Sequence, residues 1–369
     1  MSISYKELAR SGVRHLAPYQ PGKPIEELRR ELGLDRIIKL ASNENPLGAS
    51  PAVNEAMHRL WKDIARYPDG SGFSLKQAIS ATFAVPLECI TLGNGSNDVL
   101  EMLARAYINE GDEVVFSQHA FAVYPIVTQA VGGQAVVVPA RDFSHDLDAM
   151  AKAVSSKTKM MFIANPNNPT GTYVDLMALT QLLEAVPAQV IVVLDEAYFE
   201  YVTAEDYPNG LNLMSRYPNL VVSRTFSKVY GLASLRVGFA IANPEITDIL
   251  NRVRQPFNVN TYALVAAEAA LGDQDFVRKS VQVNLEGLEL MQSGLQKLGI
   301  QTIPSVCNFV TFQHPQADQL NQMLLTKGII IRGVAGYDIA NGLRVSIGLP
   351  QENRLFLRAL EDSLEHLSA

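Results

Sequence analysis

The sequence predicts an α/β fold, a mostly parallel sheet flanked by helices, followed by a smaller α+β unit. Three observations carry this expectation. Between about residues 89 and 242, short β-rich runs alternate with amphipathic stretches. The runs are almost continuously apolar, as strands covered on both faces by helices must be. From Gln301 onward the order changes to strand, helix, strand, strand and helix.

The N-terminal 30 residues, with Pro and Arg around HLAPYQPGKP, are too short to fold alone and are expected to pack on the smaller unit. The strand runs are ECITL, DEVVFS, QAVVVP, TKMMFIA, QVIVVLD, LVVSRT and RVGFAIA. Between them, Asn97 to Tyr107, Ala120 to Val131 and Asp175 to Ala185 read as helices. Residues 243–299 read as three helices, the last long, with an apolar stripe in LEGLELMQSGLQKL. In the last unit the elements are SVCNFVTF, ADQLNQMLLTK, GIIIRG, GLRVSIG and a final helix from Gln351. The expected division is a large domain over residues 31–280 and a small one over 1–30 plus 281–369.

Composition narrows the function classes. A chain of 369 residues is long enough for two to three domain-sized units, and 47% hydrophobic with 19% charged residues is ordinary for a folded globular protein. The net charge of −7, with no run of Lys or Arg, argues against a nucleic-acid partner. Cys89 and Cys307 each stand alone and read as reduced thiols. The start lacks the apolar core of a signal peptide and no stretch approaches the roughly 20 apolar residues of a membrane span, so a cytoplasmic protein is expected. The six histidines have no metal-site spacing, and no metal is expected.

Four loop motifs follow strand runs, where ligands of α/β sheets bind. Gly93-Asn94-Gly95-Ser96-Asn97 lets backbone approach an anion at a helix N-terminus, or is a plain turn with a serine cap. Asn165-Pro166-Asn167-Asn168-Pro169-Thr170-Gly171 is a sharp turn whose three asparagines exceed what a turn requires. Asp195-Glu196-Ala197-Tyr198 puts a carboxylate at the end of an apolar strand, which calls for a cation unless Asp195 merely caps a helix. Thr225-Phe226-Ser227-Lys228 sets a lysine among hydroxyls and aromatics, with Arg236 eight residues on. A desolvated lysine loses proton affinity and becomes a nucleophile. Amine, hydroxyl-rich turn, buried carboxylate and asparagine are together the set needed to bind pyridoxal phosphate as a Schiff base.

In this order the motifs N-P-x-N-P-T-G, D-E-A-Y, T-F-S-K and a downstream arginine resemble the fold-type I pyridoxal-phosphate-dependent aminotransferases, over essentially the whole chain. LAPYQPG, ASNENPLG, RYPDG, GNGSND, IIIRG and GLRVSIG make the finer pattern similar to the histidinol-phosphate aminotransferase group, in the class II subgroup. The resemblance implies the cofactor pyridoxal 5'-phosphate, with Lys228 as its lysine and proton shuttle and Asp195 as partner of the pyridine nitrogen. It further implies Asn168 and Tyr198 as donors to the ring oxygen, and Phe121 as the stacking aromatic where tyrosine is common. The phosphate cup would be Gly95, Ser96, Asn97, Thr225, Ser227 and Arg236. Here Asn97-Asp98 stands where many relatives have Asp-Glu, which puts any side-chain role at 97 in doubt. Tyr67 would reach the cofactor phosphate of the other subunit, which implies a homodimer.

The implied substrates are L-histidinol phosphate and 2-oxoglutarate/glutamate, in histidine biosynthesis. One pocket must then take a carboxylate and a phosphate ester in turn, and arginine binds either in bidentate fashion. Arg344 and Arg332 match the substrate-anion arginines of that group, the alternative being surface ion pairs. Tyr19 and Asn43 match its elements for the imidazole and chain, although Tyr19 is equally readable as packing. The alternatives are transamination of aromatic amino acids and a decarboxylase or lyase of the same fold. A regulator that keeps this fold would need a nucleic-acid-binding module, for which the chain has neither spare length nor a basic helix.

Overall fold

Continuous apolar runs become the strands of a seven-stranded sheet in this computed structural model, which describes residues 4–19, 22–60 and 64–368. A short strand, β1 (Ile38–Lys39), comes first. The alternating segment then gives β2 (Ile90–Gly93), β3 (Glu113–Ser117), β4 (Gln134–Val138) and β5 (Thr158–Ala164). It continues with β6 (Ile191–Asp195), β7 (Leu220–Thr225) and β8 (Gly238–Ile241). The strand order is β2-β8-β7-β6-β5-β3-β4, with only β8 antiparallel to its neighbours. The sheet is therefore mostly parallel, as the apolar runs imply.

Period-two alternation divides the strand residues between two cores. Met160, Phe162, Val193 and Val221 pack with helices Ser96–Tyr107, Val123–Val131 and Pro244–Val253 on one face. Met161, Ile163, Val192 and Val222 pack with helices Leu147–Lys152 and Leu176–Ala185 on the other. Fully buried valines of this kind contribute about 1.5–3 kcal/mol each.

The smaller sheet holds β9 (Thr302–Ile303), β10 (Phe309–Gln313), β12 (Arg332–Gly333) and β13 (Gly342–Ser346), in the antiparallel order β12-β13-β10-β9. β11 (Ile329–Ile330) pairs in parallel with β1. Val310, Phe312, Leu343 and Val345 face a core closed by helices Gln274–Lys297, Ala317–Thr326 and Pro350–Ser368. Among the described residues, no helix is long and apolar enough to cross a membrane.

The N-terminal expectations need correction at two points. Ile38 and Leu40, assigned by the sequence to the large domain, lie in the small unit's core, because β1 finds its partner in β11. Conversely, residues 1–30 do not all pack on the small unit. The Arg10 guanidinium donates to Val131 O at 3.0 Å, which ties the turn at Ser11–Arg14 to the large unit, whereas Leu28 packs on Ala41 and Ile330.

Beneath the carboxyl edge of the large sheet lies an ion pair closed to solvent. Arg224 donates from Nε and Nη2 to Glu196 Oε2 at 2.9 and 2.7 Å, and its guanidinium lies over the Phe199 ring at 3.7 Å. Glu196 Oε1 accepts from Gly210 N at 2.8 Å. Removing one partner of such a pair strands the other charge without water, at a cost of about 3–5 kcal/mol. Glu196→Leu is expected to lose stability of that order in urea denaturation; a loss under about 1 kcal/mol would show that the pair is not needed.

Candidate active site

Strand register brings the four loop motifs to one edge. Gly93 lies opposite Gly238, which lies opposite Thr225, and Asp195 lies opposite both Ala164 and Ser223. The loops after β2, β5, β6 and β7 therefore meet over a cavity of about 190 Å³. Ser96, Asn97, Phe121, Asn168, Asp195, Tyr198, Thr225, Ser227, Lys228 and Arg236 line it from the large unit. Tyr19, Asn43, Arg332 and Arg344 close the other side.

Two of the residues expected from the sequence do not line the cavity. Gly95 stands behind it: its φ is +81°, and a Cβ there would fall 2.5 Å from Arg236 Nη2, so the missing side chain lets the guanidinium rest on backbone. Tyr67 is 82% exposed and stacks on Phe257 with ring centroids 4.8 Å apart, outside its own chain's cavity.

Asp195 is the group most opposed by its surroundings. It is 4% exposed, and burial pushes its carboxyl up to about 6, with Glu196 adding to the rise. Tyr124 opposes this by donating to Oδ2 at 3.0 Å, helped by the Ala197 backbone and the Lys228 charge, while Oδ1 is buried without a hydrogen-bond partner among the described residues. A cation or strong donor at Oδ1 would complete the group. The helix-cap alternative falls away, since only a short 3₁₀ turn, Phe199–Tyr201, follows, and its cap residue is Tyr198.

Lys228 faces the same space. Burial lowers its ammonium to about 8, helped by the Arg344 and Arg236 cations. Three consecutive residues each hold a different group here. Ala41 O accepts from Arg344 Nη2 at 3.0 Å, Ser42 O accepts from Lys228 Nζ at 3.4 Å, and Asn43 Nδ2 donates to Tyr198 Oη at 2.9 Å. In the asparagine loop, Asn165 and Asn167 turn inward, to Val174 O and His119 O, and of the three asparagines Asn168 lines the cavity, beside Pro166.

Opposite Asp195, the groups are suited to an anion. Helix Ser96–Tyr107 starts at Gly95, which has no side chain to cap it, so Ser96 is not the serine cap that the sequence left open. Other helices here are capped, for example by Asp175 and Asn260. Arg236 Nη1 donates to Ser227 Oγ at 3.2 Å, and the Thr225 hydroxyl accepts from Ser227 N at 3.1 Å.

Arg332 and Arg344 are direct cross-strand neighbours, where like charges repel. Arg344 is 6% exposed, donates to Asn168 Oδ1, has a buried Nε without a partner and forms no ion pair among the described residues. The arrangement calls for an anion on the small unit's side of the cavity.

Sequence reasoning missed Tyr124, Ser42, Tyr337 and Ser346. Tyr124 is buried by stacking on Phe162 at 4.6 Å, and nothing in AFAVYP shows that its hydroxyl reaches a strand end 71 residues away. Tyr337 lines the cavity beside Arg332 and Arg344.

The residues fit pyridoxal phosphate: a buried amine, an unsatisfied carboxylate oxygen across the cavity, and a cradle of hydroxyls, an arginine and free helix N–H groups. Because Lys228 ionises near 8, its capture of the cofactor aldehyde by cofactor-free protein is expected to accelerate as pH rises through about 8, then level off. Stopped-flow absorbance measures this; a rate still climbing past pH 10 would show an ordinary solvated lysine.

Comparison with known proteins gives the same picture. The family Aminotransferase class I and II matches residues 35–360. The chain is 53% identical to histidinol-phosphate aminotransferase 1 of Idiomarina loihiensis, over 96% of this chain and 97% of the relative. It is 54% identical to histidinol-phosphate aminotransferase 2 of Pseudomonas fluorescens, over 99% of both. Among solved structures, histidinol-phosphate aminotransferase from Sinorhizobium meliloti in complex with pyridoxal-5'-phosphate is similar at a TM-score of 0.89 and 28% identity, covering 97% of each chain. A Thermus thermophilus aspartate aminotransferase variant, 23% identical with a TM-score of 0.82, shares the fold. The chain belongs to the class I and II aminotransferase family.

Proposed function

We propose that the protein moves the amino group of L-histidinol phosphate to 2-oxoglutarate with pyridoxal 5'-phosphate as cofactor, giving imidazole-acetol phosphate and glutamate in histidine biosynthesis. The observation that carries the reading is Arg344, a buried guanidinium without a carboxylate partner, across from Arg332 and opening on the cavity that holds Lys228 and Asp195. Relatives named histidinol-phosphate aminotransferase at 53–54% identity support it over an aromatic amino acid aminotransferase or a decarboxylase.

Bound pyridoxal phosphate supplies an electrophilic carbon for amines and a ring that takes up the electron pair left when the α-proton departs. The chain's residues do the remainder. Asp195 Oδ1 would keep the ring nitrogen protonated, and the Tyr124 hydrogen bond favours the ionised Asp195 despite its burial. Asn168 and Tyr198, which line the cavity, would donate to the ring oxygen, and Phe121 would stack on the ring. Ser96, Asn97, Thr225, Ser227 and Arg236 would hold the phosphate, with Asn97 contributing through its backbone, while Gly95, behind the cavity, makes room for the Arg236 guanidinium. Lys228 Nζ, neutral above about pH 8, would hold the cofactor between turnovers and move the substrate's α-proton.

Arg332 and Arg344 take the substrate phosphate or a carboxylate of glutamate, while Tyr19 and Asn43 position the rest of the chain. The active form is a homodimer in which Tyr67 reaches the partner's phosphate site; an 82% exposed tyrosine ring stacked on Phe257 is available for that contact. The cytoplasm suits such an enzyme.

The test is one half-reaction. Cofactor-loaded protein is mixed with histidinol phosphate or with phenylalanine while the visible absorption band is followed. Fast loss of the band with histidinol phosphate and slow loss with phenylalanine is expected; the reverse preference would make the protein an aromatic transaminase. Lys228→Ala is expected to give no turnover in either case.

Arg344→Gln removes hydrogen bonds to a charged group that are worth about 1.5–3 kcal/mol, so kcat/KM for histidinol phosphate is expected to fall roughly ten- to hundredfold. A steady-state assay showing an unchanged value would remove Arg344 from the substrate site.

A further inference from the structure

Ser346 lies two residues beyond Arg344 on β13, so alternation puts both on the cavity side while Leu343, Val345 and Ile347 enter the small unit's core. It is 4% exposed. Its Oγ accepts the Asn43 backbone N–H at 2.8 Å and stands 3.0 Å from Asn43 Oδ1. A hydroxyl has one proton to give, and with its oxygen already engaged by the backbone N–H, that proton goes to Asn43 Oδ1.

This fixes the orientation of the Asn43 amide. With Oδ1 turned to Ser346, Nδ2 faces Tyr198 and donates to its Oη at 2.9 Å. The opposite orientation would aim two donors of Asn43 at one serine oxygen and leave the serine proton with no acceptor in a buried site. Asn43 is held firmly enough for the choice to matter. It is 1% exposed, its φ is +55°, and its carbonyl accepts from Asn308 Nδ2 at 3.0 Å.

The hydroxyl of Tyr198 therefore receives a hydrogen bond from within the protein. Its own proton has no hydrogen-bond acceptor among the described residues, and Tyr198 lines the cavity. Burial keeps the phenol protonated.

We propose that Ser346 is a positioning residue that sets the direction of a hydrogen-bond chain, Ser346 to Asn43 to Tyr198, so that Tyr198 presents its proton to the cavity. The inference rests on the reading of Tyr198 as donor to the cofactor's ring oxygen. It gives β13 two tasks: Arg344 takes the substrate anion, and Ser346 sets the donor polarity of a tyrosine on the other unit. Without Ser346 the amide can turn over, and Tyr198 can spend its proton on Asn43 Oδ1.

The experiment titrates the visible absorption band of cofactor-loaded enzyme against pH, without substrate, in wild type, Tyr198→Phe, Ser346→Ala and the double variant. A donor to the ring oxygen stabilises its anionic form, so its loss raises the midpoint of the titration. Tyr198→Phe is expected to raise it. Ser346→Ala is expected to raise it by at least half as much, and the double variant no further than Tyr198→Phe alone.

Ser346→Thr, which keeps the hydroxyl, is expected to restore the wild-type midpoint. Should Ser346→Ala fold poorly, Ser346→Cys, with a weak donor of similar shape, carries the same expectation. A wild-type midpoint in Ser346→Ala beside a raised one in Tyr198→Phe would overturn the inference and leave the role of Tyr198 intact. So would a Ser346→Ala shift that adds undiminished to that of Tyr198→Phe. An unshifted Tyr198→Phe would overturn the donor reading itself.

Discussion

A carboxylate held dry at the carboxyl end of β6 is the constraint on which the site depends. Asp195 and Glu196 are consecutive, so their side chains leave the strand in different directions, and both are almost fully buried. The protein treats them differently. Glu196 has its own cation, Arg224, and a backbone donor from Gly210. Asp195 has neutral donors only, chiefly Tyr124 on Oδ2, and among the described residues no cation pairs with it and Oδ1 has no hydrogen-bond partner. A buried charge with a partner belongs to the fold, whereas a buried charge short of one awaits a ligand.

The second requirement is that two units share one cavity. The segment Ala41-Ser42-Asn43 does much of this joining: its carbonyls and side chain hold Arg344, Lys228 and Tyr198. Thr311 donates to Pro169 O across the same boundary, and His119 Nδ1 meets Tyr337 O at 2.8 Å. The positive φ of Asn43 is local backbone strain retained where six atoms of three residues must be aimed at once, and asparagine tolerates that conformation better than most residues. The correction to β1 follows from the same need. Ile38 and Leu40 must be anchored in the small unit's core for the three residues that follow to reach across.

Much of this was legible in the sequence because it depends on local pattern. Continuous apolar runs locate β3, β5, β6 and β7, and residues just past their ends line the cavity. The reversed direction of β8 was not legible, since periodicity says nothing of strand direction. Tyr124 escaped notice because its role depends on a contact across 71 residues. Ser346 was open to view: in GLRVSIG the apolar residues at 343, 345 and 347 set Arg344 and Ser346 on the other face. What the alternation lacks is the identity of that face's neighbour, which here is Asn43.

The pairing of Arg332 with Arg344 links fold to specificity. Directly opposed like charges weaken an antiparallel pair, and nothing in β-sheet packing rewards putting two arginines there. Arg344 is also committed in part, to Ala41 O and Asn168 Oδ1, so its guanidinium cannot swing out to water to escape the repulsion. A bound anion would lessen the repulsion between the two guanidinium groups and satisfy the buried Nε of Arg344. Phosphate, carrying more charge and three oxygens, relieves them more than a carboxylate does. On the proposed reading, in which both arginines hold the substrate anion, such a site favours a phosphate-bearing amine over an aromatic amino acid that offers one carboxylate and an uncharged ring.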